Sequence, residues 1–252
     1  MKRLIRILVA WLALTLPVSL APHQASYPIL PNTLTGPLSI KLRPPIDPSK
    51  PMIALTFDDG PTKQTERILN VLERCGGRAT FCVVGEFAKI RKSTVLRAYN
   101  LGCDIIGHSW NHRNLTKLSE DEIRKQILDT AAVIKEAMGA EPLKMYRPPY
   151  GAINDKVMNV SRDLGYAIIN WSLDPLDWKT KNADTTYAYI INRVNDKAII
   201  LSHDLYAATA DAMERVIPAL VAKGYQLVTI SELMYYSGIE LEAGQVYRNG
   251  RV

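Results

Sequence analysis

From residue 51 to about residue 239 the chain alternates short apolar runs with amphipathic stretches, a pattern of strand followed by helix. Met52–Phe57 reads as a buried strand, and Thr65–Arg74 as a helix stopped at Gly76-Gly77. Ala79–Val84 is the next predicted strand, Ser93–Leu101 a helix ending at Gly102, and Asp104–Ile106 a third strand. Ser119–Met138 has the strongest helical period. Ser119 at its cap, Glu122 three residues on and Gly139 at its end make a capping box with a glycine stop. Met145 leads into a short strand, and Asn154–Leu164 is a helix stopped by Gly165. Ala167–Ser172, Ala198–Leu201 and Gln226–Thr229 are further strands, interleaved with helices over Asp184–Asn195 and Thr209–Lys223. Repeated βα units require parallel strands with helices outside, so the fold class is α/β. About seven units over this length favour a barrel over an open sheet. No G-x-G-x-x-G follows the first strand, which argues against a dinucleotide-binding fold. Residues 240–252 carry no pattern and are read as a polar C-terminal tail.

The first 50 residues follow other rules. Lys2, Arg3 and Arg6 precede an apolar run from Ile7 to Leu16 that continues to about Leu20. That run is shorter than the roughly 20 residues of a spanning helix, and residues 1–25 read as a secretory signal peptide. Ser19 and Ala21 have the spacing of a cleavage site, although Pro22 disfavours it, and a cut after Ala25 is the alternative. Left uncut, the segment would tether the protein to a membrane. The expected location is therefore outside the cell or at the cell wall. Nine of the 15 prolines fall between Pro17 and Pro51, so residues 26–50 are read as an extended linker. Within it Leu38, Ile40 and Leu42 alternate as a short edge strand would. The net charge of +6 suits an anionic surface, but there is no basic block beyond the N-terminus and no nucleic-acid motif, so nucleic acid is excluded as a partner. Cys75, Cys82 and Cys103 cannot all pair with one another, match no zinc ribbon, and read as small core residues.

Polar residues cluster at predicted strand ends. Asp58-Asp59-Gly60-Pro61 follows the first strand, His108 and His112 the third, and Arg147-Pro148-Pro149-Tyr150-Gly151 the fourth. Asp174, Asp177 and Trp178 follow Ala167–Ser172, and His203-Asp204 follows Ala198–Leu201. The C-terminal edge of a parallel sheet is where sites are built, so five such groups point to one site. His108 and His112 are four apart, and on a helical turn their rings would face one side. With one carboxylate, Asp59, they would make a two-histidine, one-carboxylate metal site with open positions. Taken alone, H-x-x-x-H also suits a surface or capping pair, and D-D-G also suits a turn. Asp204 suits either a residue that positions the last loop or a cap for the segment after it.

In order, Thr56-Phe57-Asp58-Asp59-Gly60-Pro61, His108-Ser109-Trp110-Asn111-His112, Arg147-Pro148-Pro149-Tyr150-Gly151, Asp174-Pro175-Leu176-Asp177-Trp178 and Leu201-Ser202-His203 resemble the five motifs of the polysaccharide deacetylase family. This is the NodB homology domain of carbohydrate esterase family four, and the resemblance extends from Pro51 to Gly238, placing the domain at 51–239. It implies a distorted (β/α) barrel of about seven parallel strands. It implies that Asp58 is the general base, that Asp59, His108 and His112 hold a divalent metal, zinc first with cobalt or another ion as alternatives, and that Arg147 pairs with Asp58. The Tyr150 N–H would stabilise the oxyanion. His203 would be the general acid, oriented by Asp177, and Trp178 and Leu201 would wall the acetyl pocket. For Trp178 a place in the core is the alternative. Gly107, Ser202 and Cys82 depart from residues common in the family, none at a catalytic position. The implied reaction is hydrolysis of N-acetyl groups on a polysaccharide, first peptidoglycan N-acetylglucosamine. N-acetylmuramic acid, chitin oligosaccharides, O-acetylated xylan and a silent sugar-binding protein on the same fold are the alternatives.

Overall fold

The computed structural model describes residues 45–251. The expected leader, the edge strand at Leu38–Leu42 and most of the linker lie outside the described residues. Strands β1 (Met52–Asp58), β2 (Thr80–Val83), β3 (Asp104–Gly107), β4 (Met145–Tyr146), β5 (Ala167–Ile169), β6 (Ile199–His203) and β7 (Gln226–Val228) are all parallel. Their order is β6-β1-β2-β3-β4-β5, with β7 pairing the start of β1. Between them run α1 (Lys63–Cys75), α2 (Gly85–Ile90), α3 (Lys92–Asn100), α4 (Glu120–Met138), α5 (Asp155–Leu164), α6 (Asp177–Thr180), α7 (Ala183–Arg193), α8 (Ala207–Ala222) and, last, α9 (Ile230–Tyr236). This is the expected α/β barrel in distorted form. Beyond β5 the chain meets β6 through isolated pairs, Leu173 with Ile200 in parallel and Ala198, just before β6, with Asn249 near the C-terminus in antiparallel.

The polar tail contributes an element with no local signal. Val246–Tyr247 forms a strand, β8, that pairs with β5 and extends the sheet. Two residues are too few to show a period, so only the pairing partner reveals them. The short helices α2 and α6 were likewise invisible in the periodicity, being one to two turns long. The Ser119–Glu122 capping box and the Gly139 stop of α4 are formed as the sequence indicated. None of the described helices is long and apolar enough to cross a membrane.

Strand β1 shows how the fold prepares a site. It is buried along its whole length, as a central parallel strand with both faces covered must be. Its odd residues Ile53, Leu55 and Phe57 pack outward with helix residues such as Ile68, Leu72 and Val216. Its even residues face the barrel interior, where Met52 and Ala54 join Ile106, Ile169 and Ile199. The interior face therefore runs Met52, Ala54, Thr56, Asp58, apolar at the bottom and acidic at the C-terminal rim. The same period on β6 places Ile199, Leu201 and His203 on one face.

Candidate active site

The rim loops are held in an unusual backbone state. Asp59 (φ 73°), Ser109 (62°), His112 (57°), Tyr150 (63°), Leu176 (56°) and Lys181 (45°) all lie in the left-handed region without being glycine. Each such residue costs roughly 1–3 kcal/mol, and such strain gathers where geometry matters more than stability. At Asp59 the effect is direct. The reversal turns its carboxylate toward the side that Asp58 already faces, whereas neighbours on a straight strand would point apart.

Asp59, His108 and His112 place one donor atom each within 4.8 Å of one another. The two imidazoles come together, with ring centres 5.1 Å apart, but not on a helical turn as the spacing suggested. Residues 108–112 form an irregular bend with positive φ at Ser109 and His112, so the chain reverses and spacing four is reached without a helix. His108 Nδ1 is 2.8 Å from the Arg147 carbonyl oxygen. A carbonyl only accepts, so Nδ1 carries the hydrogen and a neutral His108 turns the lone pair of Nε2 to the site. That lone pair lies 3.5 Å from Asp59 Oδ1 and 3.6 Å from Asp58 Oδ2, and His112 Nε2 lies 3.2 Å from Asp59 Oδ1. Asp59 Oδ1 is buried and has no hydrogen-bond donor. Burial lowers the His112 pKa, helped by His108 and opposed by Asp59, which favours the neutral ligand form. Acceptors converging on one point without donors are the signature of a cation site, and one carboxylate with two imidazoles suits a borderline divalent ion.

Beside them is a buried ion pair. Arg147 is fully buried, and its Nη1 donates to Asp58 Oδ1 at 2.7 Å and to Thr56 Oγ1 at 2.8 Å. Nε and Nη2 donate to the carbonyls of Ile169 and Asn170 at 3.2 and 3.1 Å. The guanidinium is thus anchored to β5 while it grips the end of β1. Burial alone would raise the Asp58 pKa, but Arg147, then His108 and His203, outweigh it and hold the carboxyl below its usual range. Thr56 opens the first motif, but no role was read for it from the sequence. The signal available was its place two residues before Asp58, which puts both on the interior face.

A second dyad stands on the next strand, where His203 pairs in register with Asp58. His203 Nδ1 is 2.8 Å from Asp177 Oδ1, and its backbone N–H donates to Asp177 Oδ2 at 2.8 Å. Thr209 Oγ1 donates to the same Oδ2 at 2.6 Å. Burial opposes charge on His203, but the hydrogen bond and charge of Asp177, with the charges of Asp58 and Asp59, raise its pKa to about 9. Asp174 Oδ1 accepts from the Leu176 N–H at 2.8 Å, shaping the loop that delivers Asp177. Thr209 lies 32 residues from Asp177, and nothing local marks it.

The remaining nominated residues divide. Tyr150 is 66% exposed, with its ring edge-on to His112 at 4.7 Å. Trp178 follows Asp177 in α6 and is 44% exposed, so it is not a core aromatic. Leu201 is buried one pleat below His203 on the same face. Arranged this way, the rim offers a cation site, an ionised carboxylate, a protonated imidazole on the neighbouring strand, and exposed aromatics around them.

Residues 46–169 match the sequence profile of the family described as polysaccharide deacetylase. The chain is 40% identical over 197 residues to the peptidoglycan-N-acetylmuramic acid deacetylase PdaC of Bacillus subtilis, covering 78% of this chain and 41% of that protein. It is 35% identical over 194 residues to a peptidoglycan-N-acetylglucosamine deacetylase of Bacillus cereus, covering 75% of this chain and 70% of the relative. Among solved structures, a family 4 acetyl xylan esterase from Clostridium thermocellum, in complex with a cobalt ion, is similar with a TM-score of 0.73 and 34% identity. That match covers 79% of this chain and 98% of the esterase. The chain spans about two fifths of PdaC's length.

Proposed function

From the chain's membership of the polysaccharide deacetylase family, we propose that it hydrolyses N-acetyl groups on a polysaccharide, first those of N-acetylglucosamine in peptidoglycan, releasing acetate and a free amine. The observation that carries the chemistry is the in-register pairing of Asp58 and His203 beside three convergent acceptors. An ionised base and a charged acid then flank one point from adjacent strands.

Asp59, His108 and His112 would hold the divalent ion, and zinc or cobalt fits their donor set. Such an ion supplies Lewis acidity, polarising a carbonyl and making water a stronger acid. Asp58 takes a proton from the attacking water as its oxygen adds to the acetyl carbon. It is fit for this because Arg147 keeps it ionised and fixed in direction. The Tyr150 N–H donates to the developing oxyanion. His203 then gives its proton to the nitrogen as the C–N bond breaks, so the product leaves as an amine. Asp177 sets which nitrogen of His203 faces the substrate, because its carboxylate can only accept and so keeps a hydrogen on Nδ1. Trp178 offers a face for a sugar ring, and Leu201 closes the pocket beneath the acetyl methyl.

The peptidoglycan assignment is supported by the names of the relatives and by the leader read from residues 1–25, which would export the domain to that polymer. N-acetylmuramic acid is the second reading, favoured by the 40% identity to PdaC. The deciding experiment measures acetate released from peptidoglycan and from chitin oligomers, with and without a chelator, and locates the freed amines by mass spectrometry. Release from peptidoglycan that stops with chelator and returns with zinc or cobalt is expected. No release from any N-acetylated polymer in the presence of either ion would refute the proposal.

A further inference from the structure

One acidic residue at the rim is left unused by these steps. Asp204 follows His203 and is wholly buried. Its Oδ2 accepts a very short hydrogen bond from Thr65 Oγ1, and its backbone carbonyl accepts from Thr62 Oγ1 at 2.5 Å. Thr65 Oγ1 in turn accepts from the Thr62 N–H at 2.7 Å, and Thr62 is the N-cap of α1. Both hydroxyls of that capping box are therefore tied to a residue 139–142 positions away. The same carboxyl lies directly on Gly60. A Cβ there would fall 2.2 Å from Oδ2 and 2.5 Å from Oδ1, so only glycine leaves room for this approach. The other oxygen, Oδ1, has no hydrogen-bond partner, so the carboxyl is packed in place with half its bonding capacity unused.

The strand ladder explains why this tie matters. Pairing of β1 with β6 fixes Asp58 against His203, but the ladder ends there. Asp59 and Gly60 leave it through the left-handed turn. On the β2 side the turn is held by the Val84 N–H, which donates to the Gly60 carbonyl at 2.9 Å. On the β6 side the Asp204 carboxyl packs directly against Gly60. We propose that Asp204 is a positioning residue that locks the Asp58-Asp59-Gly60 turn to the end of β6, fixing the separation of base, ligand carboxylate and acid. The inference rests on the function proposed above for those three groups. A misplacement of about 1 Å between reacting groups can cost on the order of 100-fold in rate, so a rigid tie at this point has a kinetic consequence. A residue serving only to cap α1 would affect stability and nothing else.

The test compares the full chain with Asp204→Asn, Asp204→Ala and Thr65→Val. Each is checked for folding by circular dichroism, then titrated with Co2+ while its visible absorption is followed, then assayed for acetate release. Asp204→Ala, if folded, should lose about 10–100-fold in both Co2+ affinity and kcat, with KM little changed, the range found when the groups that orient a ligand are lost, because here the turn carrying Asp59 loses its packing partner. Asp204→Asn keeps the volume and an acceptor for Thr65 and should restore both. If Asp204→Ala does not fold, Thr65→Val removes the donor to Oδ2 without opening a cavity, and it should weaken Co2+ binding in the same direction. The proposal is overturned if the folded Ala variant, or Thr65→Val in its place, matches the parent in both readouts, or if Asn is as damaged as Ala. The Co2+ titration decides this even if the parent releases no acetate, in which case the proposed function fails separately.

Discussion

Replacing Asp177 by Asn changes one oxygen to an amide nitrogen and leaves the shape alone. The structure predicts why the loss should be large. Asp177 receives three donors: the His203 imidazole and backbone N–H, and the Thr209 hydroxyl. An amide can present its oxygen to only one side. With the oxygen toward the imidazole, its NH2 faces the His203 backbone N–H, and a buried donor without a partner costs about 1–3 kcal/mol. With the oxygen toward the backbone, the NH2 requires an unprotonated Nδ1, and His203 is left neutral. Either way the Asp177 hydrogen bond and charge, the two largest influences raising His203 to about 9, are gone; the charges of Asp58 and Asp59 remain, and burial, the largest opposing influence, pulls the pKa down toward the ordinary histidine range. At pH 8 the imidazolium fraction is about nine-tenths in the parent and would fall in the variant toward the roughly 3% of an ordinary histidine. Loss of a general acid costs on the order of 10²–10⁴-fold in rate. The assay is kcat/KM for acetate release between pH 5 and 10. In the parent, activity should decline as pH rises through about 9, whereas in Asp177→Asn the residual activity should decline at distinctly lower pH. Stability gives a second reading, taken on chelated protein. A raised native pKa stabilises below the unfolded pKa and loses that contribution as pH rises through the native one. With a rise from 6.5 to about 9, the parent's advantage from this group should be about 3 kcal/mol near pH 6 and vanish by about pH 10. A basic limb that stays near 9 in the variant, with kcat near the parent's, would refute this account of His203.

Arg147→Met removes one partner of a fully buried ion pair, which costs about 3–5 kcal/mol, a large share of the roughly 5–15 kcal/mol that holds a domain together. In the parent Asp58 has a depressed pKa and stabilises above the unfolded value near 3.8, whereas in the variant burial would raise it. The difference in melting temperature between the two should therefore be greatest near neutral pH and shrink on acidification, and a pH-independent difference would argue against a charge origin. Asp58→Asn should abolish turnover while elemental analysis finds metal content near the parent's, because Asp58 is read as the base. His112→Ala should lose both, and a metal-free Asp58→Asn protein would mean that the two aspartates have exchanged roles.

What the sequence determined was whatever repeats locally. The odd–even alternation of β1 and β6 is written in Met52–Asp58 and Ile199–His203, so the residues that reach the barrel rim, Asp58 and His203, could be read before any fold was known. The Ser119–Glu122 box and the Gly139 stop were equally legible, since a helix end is decided by the few residues around it. Tertiary structure decided the rest. His108 and His112 meet through a reversal at Ser109 and not through helical period. Arg147 reaches Asp58 and Thr56 across about 90 residues of chain, and Thr209 finds Asp177 across 32. The tail became β8 only because β5 had an open edge. Asp204 shows the division within one side chain. The sequence placed it beside His203, but its meaning lies in the Gly60 backbone and the Thr65 hydroxyl pressed against it. Periodicity reports which face of an element is buried. It carries no information about which distant group will occupy the facing position, because that depends on how whole elements pack.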